Sequence, residues 1–161
     1  MDPALAAAVT ALGQGRIVGV PTDTVYGIAA DPFDERAMAS LFAAKDRPEG
    51  MPIPILAADA DDAARIGVLD ESARTAAAVH WPGALTLVVP RVPGLPVWIG
   101  HPESGSVGIR VPDHPLTLAL LAAAGPLAVT SANRSGYPPA ADDLAARAAL
   151  GDAVAVYLEG G

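Results

Sequence analysis

Four short polar segments carry the side chains in this 161-residue chain with the charge and reach to hold a ligand. The first, Pro21-Thr22-Asp23-Thr24-Val25-Tyr26-Gly27, sets two hydroxyls, a carboxylate and a phenol within five residues. Asp and Thr also bond readily to their own backbone, so on composition alone a turn is the preferred reading. The second is Ala44-Lys45-Asp46-Arg47-Pro48. Lys45, the sole lysine of the sequence, follows Leu41 by four residues and Met38 by seven, which continues their apolar stripe. A lysine there either snorkels outward or meets an anion, whereas a cation at a helix C-terminus also serves the dipole. In the third, Ser106-Val107-Gly108-Ile109-Arg110-Val111-Pro112-Asp113-His114, Arg110 stands inside a β-branched run. A buried strand arginine needs a partner, either a protein carboxylate such as Asp113 or a carboxylate on a ligand. The fourth, Thr130-Ser131-Ala132-Asn133-Arg134-Ser135-Gly136, is a donor-rich loop. It suits an ordinary turn or a cradle for phosphate.

Each segment falls where an element ends. A helix is expected over residues 4–13, then a strand over Arg16–Val20, and PTDTVYGIAAD is expected to be a loop followed by a second strand. Asp34 is placed to cap a helix running to Ala44, and Asp59 and Asp70 to cap two shorter ones. Strands are expected at Ile53–Ala57, Leu85–Val89, Ser106–Val111, Leu127–Thr130 and Ala153–Leu158. Helices are expected at Pro115–Ala124 and from Pro139 to Leu150, and an irregular Pro/Gly-rich excursion over Pro90–Gly105. Alternating strands and helices predict an α/β fold with a partly parallel, twisted sheet, built as a single domain over residues 1–161. In such sheets ligands bind at strand-end loops, where the four segments lie.

Composition narrows the chemistry. A net charge of −8 opposes a broad nucleic-acid-binding face but leaves room for a small positive pocket. The absence of cysteine excludes disulfides and thiol chemistry. His80, His101 and His114 are too dispersed for a local metal motif, and neither GxxxxGK[ST] nor GxSxG occurs. The N-terminus lacks the basic region of a signal peptide, and the most apolar segment, Leu116–Val129, is short for a membrane span and holds Gly125 and Pro126. A cytoplasmic location is the expectation.

Taken in order, PTDTVYG, KDRP, WPGALTLVV, VGIRVPDHP and TSANRSG resemble the Sua5/YrdC/TsaC family from about residue 12 to residue 161. The resemblance implies a YrdC-like fold, an open sheet of mixed parallel and antiparallel strands with flanking helices. It implies a nucleotidyltransferase that combines L-threonine, bicarbonate and ATP into threonylcarbamoyl-adenylate and pyrophosphate. The product then passes to a separate tRNA threonylcarbamoyltransferase, which modifies adenosine 37. The family's KxR…SxN tetrad falls on Lys45, Arg47, Ser131 and Asn133, implying that these hold the ATP phosphates, with Lys45 and Arg47 catalytic. Thr22, Thr24, Tyr26 and Arg110 match positions near the threonine pocket, and Arg110 is the candidate for the threonine carboxylate. Mg²⁺ is expected to be carried by ATP, with no protein ligand assigned, and Asp46 leaves room for binding nearby.

Three departures stand out. Asp46 replaces a common Gly and is expected to pair with Arg47 or face solvent; Ala84 replaces a frequent Pro; and Met51 occupies a position that is often polar. The family also continues beyond the counterpart of Gly161 into an STV-containing segment that contributes to the nucleotide site. Two alternatives remain: an RNA-binding module of the same fold, opposed by the acidic charge, and the carbamoyl-adenylating domain of hydrogenase-maturation proteins, which is embedded in cysteine-rich chains.

Overall fold

The computed structural model describes residues 1–46, 52–101, 103–134 and 136–160. Its helices begin where short acidic side chains can accept backbone N–H groups. Asp2 caps α1 (Pro3–Gly13), Asp34 caps α2 (Glu35–Ala44), Asp59 caps α3 (Ala60–Ala63) and Asp70 caps α4 (Glu71–His80). Helix α5 (Pro115–Ala124) starts on a proline whose missing N–H costs nothing there. Asp142 caps α6 (Asp143–Leu150).

The strands are β1 (Val18–Val20), β2 (Gly27–Ala30), β3 (Ile55–Leu56), β4 (Leu87–Pro90), β5 (Ser106–Arg110), β6 (Leu127–Ser131) and β7 (Val156–Tyr157). They form one seven-stranded sheet in the order β4-β5-β3-β6-β2-β1-β7. Pairs β1/β7 and β3/β5 are parallel and the others antiparallel, the mixed sheet expected from the sequence.

Side-chain alternation sorts the core onto two faces. Ile28, Ile55, Ile109 and Ala128 pack with Met38, Leu41 and Phe42 of α2. Val18, Val20, Ala29, Leu56, Leu127 and Val129 face the other way, toward α1 and α5.

Several strands are shorter than expected or shifted, β3 by three residues, and two elements differ most. The last helix begins at Asp143 and not at Pro139, because Ala140 spends its backbone on neighbouring chain: Tyr26 N–H donates to its carbonyl and its own N–H donates to Ala132. The last strand is shorter than Ala153–Leu158, since Gly151–Ala153 forms a 3₁₀ turn. Pairing still continues around β7, with Ala155 donating to Ile17 and Leu158 to Gly19.

Candidate functional site

Helix α2 delivers Lys45 as its C-terminal cap, only 4% exposed, against the end of β6. Its Nζ lies 3.0 Å from Thr130 Oγ1, 2.8 Å from the Ser131 carbonyl, 3.1 Å from Ser131 Oγ and 3.4 Å from Asn133 Oδ1. These four neutral oxygens, all from described residues, replace water around the ammonium, which helps a buried lysine to be tolerated. The loop after β6 is shaped for that task. Ser131 Oγ donates to Asn133 Oδ1 at 2.6 Å, and the Asn133 amide donates to the carbonyls of Arg134 and Tyr137 at 3.1 and 2.7 Å. Both N–H bonds of Asn133 are therefore spent on its own loop. Asn133 orients Ser131 and Lys45 and offers no donor of its own to an incoming group in this state.

On the face that carries α1 and α5, but over β5, β3 and β6, lies a cavity of about 190 Å³. Its wall includes Thr22, Thr24, Arg110, Thr130 and Ser131, with Pro54, Leu56, Thr86 and Val129 as apolar or weakly polar floor. Thr130 and Ser131 thus belong both to this cavity and to the Lys45 cage. Arg110 closes β5 and is 9% exposed. Its Nε donates to the Gly83 carbonyl at 2.8 Å, one terminal nitrogen to Thr24 Oγ1 at 3.0 Å, and the other to the Asp23 carboxylate. The partner is Asp23 and not Asp113, the carboxylate nearest in sequence. Asp113 lies past the strand end and is exposed, whereas the β1–β2 loop folds Asp23 onto the guanidinium.

The hydroxyls next to Arg110 have a fixed sense. Thr22 Oγ1 gives its proton to the Val25 carbonyl at 2.5 Å, so in the 3.1 Å contact between the two threonines Thr24 must donate to Thr22. An arginine only donates, so Thr24 Oγ1 accepts from Arg110. Thr22 also accepts the Thr24 N–H at 3.2 Å, which fills its second lone pair. Thr24 has one lone pair left and faces the cavity as an acceptor.

Tyr26 stands apart from the other expected pocket residues. Its ring is wholly buried on the opposite face and its hydroxyl donates to the Leu158 carbonyl at 2.6 Å. Gly19 makes room for it, since a Cβ there would come within 2.6 Å of that hydroxyl. Burial, reinforced by the Asp143 charge, pushes the phenol above the ordinary tyrosine range. Tyr26 therefore ties β7 down and does not line the cavity. Arg47 and Met51 lie outside the described residues. Asp46 takes a left-handed φ of 52°, which accounts for glycine at this position in the family pattern. Its carboxylate is exposed, one of the two arrangements expected, and lies 3.9 Å from Arg134; the other, a pair with Arg47, falls outside the described residues.

The sequence reading missed Asp23 as a partner and Thr86 as a wall residue. Strand register contains the signal for Thr86: Leu87 pairs with Ile109, which carries Thr86 alongside Arg110 on the same face. Nothing local marks Asp23, because its contact spans 87 positions.

Among the described residues no group of three or more His, Cys, Asp or Glu side chains could hold a metal ion. The oxygens around Lys45 make no cage for Mg²⁺ either, since they already hold the ammonium, whose charge repels a second cation beside it. These residues do not fit a protein-held Mg²⁺.

Comparison with known proteins bears on the family and the fold. The Sua5/YciO/YrdC family model, described as "Telomere recombination", matches residues 10–161. A Mycobacterium tuberculosis (strain H37Rv) protein is 44% identical over 158 residues, covering 98% of this chain and 72% of its own length. A Chromohalobacter salexigens protein named threonylcarbamoyl-AMP synthase is 40% identical over 153 residues, 93% of this chain and 82% of that protein. Among solved structures, P. abyssi Sua5 complexed with L-threonine superposes with a TM-score of 0.91 at 31% identity, over 98% of this chain and 46% of that one. The chain thus spans about half the length of that protein.

Proposed function

The chain belongs to the Sua5/YciO/YrdC family, and from that premise we propose that it joins L-threonine, bicarbonate and ATP into threonylcarbamoyl-AMP with release of pyrophosphate. The observation that carries this reading is a shared wall. Ser131 and Thr130 belong at once to the cage of a buried ammonium and to a small cavity that holds a buried guanidinium.

Two sites with a common wall suit a reaction between two anions. The threonine nitrogen bonds to the bicarbonate carbon, a C–O bond breaks and water leaves, and an oxygen of the resulting carbamate attacks the α-phosphorus of ATP. An oxygen–phosphorus bond forms, the bond from the α-phosphorus to the α,β-bridging oxygen breaks, and pyrophosphate leaves with the electron pair. Lys45 supplies a compact positive charge for phosphate oxygens, reached by exchanging part of its oxygen cage, with Arg47 as the second phosphate cation. Ser131 and Asn133 hold Lys45 on its line of approach. Arg110 keeps two N–H bonds, one on each terminal nitrogen, for the threonine carboxylate. The spare lone pair of Thr24 receives a proton donor of the amino acid, its hydroxyl or its nitrogen. Rate enhancement then comes from proximity and electrostatic preorganisation, with no covalent enzyme intermediate. Mg²⁺, borne by the nucleotide, screens phosphate charge, and the adenylate passes to a downstream tRNA threonylcarbamoyltransferase.

Pyrophosphate release from ATP, measured with threonine and bicarbonate each left out in turn, tests the reaction. Release that requires both supports it; release that ignores either one removes the carbamate from the scheme.

A further inference from the structure

Arg110 is held at all three of its nitrogens, and each hold has a different character. The Gly83 carbonyl fixes Nε from rigid backbone, Thr24 takes one terminal nitrogen through a neutral hydroxyl, and Asp23 takes the other through a charge. Asp23 is not among the residues lining the cavity. Its carboxylate lies against the guanidinium from outside, with its side chain 22% exposed where that of Arg110 is 11% exposed.

We propose that Asp23 is a positioning residue for amino-acid recognition, acting through Arg110. The inference rests on the assignment of the threonine carboxylate to Arg110. A long arginine side chain at a strand end is free to extend its head group into water, and two neutral acceptors oppose this weakly. A charged acceptor binds roughly twice as strongly as a neutral one. It also offsets the cost of leaving a guanidinium almost buried while no ligand carboxylate is present. With Asp23 in place the plane of the guanidinium is set and its two remaining N–H bonds keep their direction. The same contact presses Arg110 onto Thr24, which keeps the Arg110–Thr24–Thr22–Val25 chain of hydrogen bonds pointing one way. Asp23 thereby orients the cation and the acceptor that read the two ends of an α-amino acid, without touching it.

Steady-state kinetics of the full chain, with threonine and ATP varied separately, test this. Asp23→Ala is expected to raise the threonine KM by roughly tenfold, the scale of one hydrogen bond to a charged group, and to leave the ATP KM within about twofold. Asp23→Glu, which restores a carboxylate, should return the threonine KM most of the way. Asp23→Ala added to Arg110→Lys should change nothing further, since the two act as a unit. An unchanged or lower threonine KM in Asp23→Ala, an equal rise in both KM values, or an additive double variant would overturn the proposal. If Asp23→Ala does not fold, the isosteric Asp23→Asn carries the same test with a smaller rise. Arg110→Lys alone separates the two levels. If it spares the threonine KM, the assignment of Arg110 fails and Asp23 falls with it. If it raises that KM while Asp23→Ala does not, the role of Asp23 alone is refuted.

Discussion

At Lys45 the cost of burying an ammonium shapes everything around it. Among the described residues four oxygens from β6 and its following loop lie around Nζ, and Asn133 spends its amide on the Arg134 and Tyr137 carbonyls, which fixes the loop that carries its own Oδ1. The sequence shows the lysine on an apolar stripe, and that stripe is what carries it inward. Composition could not show that Ser131 and Asn133 work on the lysine before any ligand arrives. Tyr26 tests the same kind of reasoning from the opposite side. Its segment resembles a pocket motif, but strand alternation turns its ring to the far face. Tyr26→Phe is therefore expected to leave the threonine KM unchanged and to lower stability by about 1–2 kcal/mol, the cost of an unpaired buried Leu158 carbonyl, read by urea unfolding. The raised phenol pKa fixes the sign of a pH effect. The folded state holds this proton more tightly than the unfolded chain, so its contribution is full below the ordinary tyrosine value and is lost as pH rises above about 10. The wild-type protein should lose stability more steeply than Tyr26→Phe between about pH 9 and pH 11; parallel profiles would refute the assignment.

Among the elements, the edge-side strands make the cavity. Helices α1 and α5 pack on this face with Leu5, Leu12, Leu120 and Leu121, and the cavity opens beside them over β5, β3 and the end of β6. Gly108 on β5 keeps it open. A Cβ there would come within 3.2 Å of Thr86 Cγ2 and 3.8 Å of Pro54 Cβ, both wall residues. Because valine suits a strand, Gly108→Val should fold normally and fill the cavity, weakening threonine binding by tenfold or more on the order-of-magnitude scale of overpacking. Gly108→Ala should act in the same direction and less. A Gly108→Val protein that binds threonine as the wild type does would place the ligand elsewhere. Much of this level was legible beforehand. Three acidic caps, Pro115 and the β-branched runs locate most helices and strands, because each acts within a few residues. What stayed hidden was long-range: the backbone of Ala140 bonds across to Tyr26 and Ala132, which delays the last helix, and Asp23 meets Arg110 across the sheet.

For the whole molecule, the sheet order 4-5-3-6-2-1-7 brings segments from residues 22, 45, 110 and 131 to one end of the fold. The positive groups there are few and sunk into a chain of net charge −8, which suits capture of small anions and opposes a broad grip on RNA. No described helix is long and apolar enough to cross a membrane. The central claim is a division of labour across the shared wall of Thr130 and Ser131: Lys45 for the nucleotide, Arg110 for the amino acid. Calorimetric titration of ATP and of L-threonine, each into Lys45→Ala and Arg110→Lys proteins, measures it directly. The crossed result is predicted, in which Lys45→Ala loses ATP and keeps threonine while Arg110→Lys weakens threonine and keeps ATP. Equal losses of both ligands in both variants, or losses in neither, would contradict it.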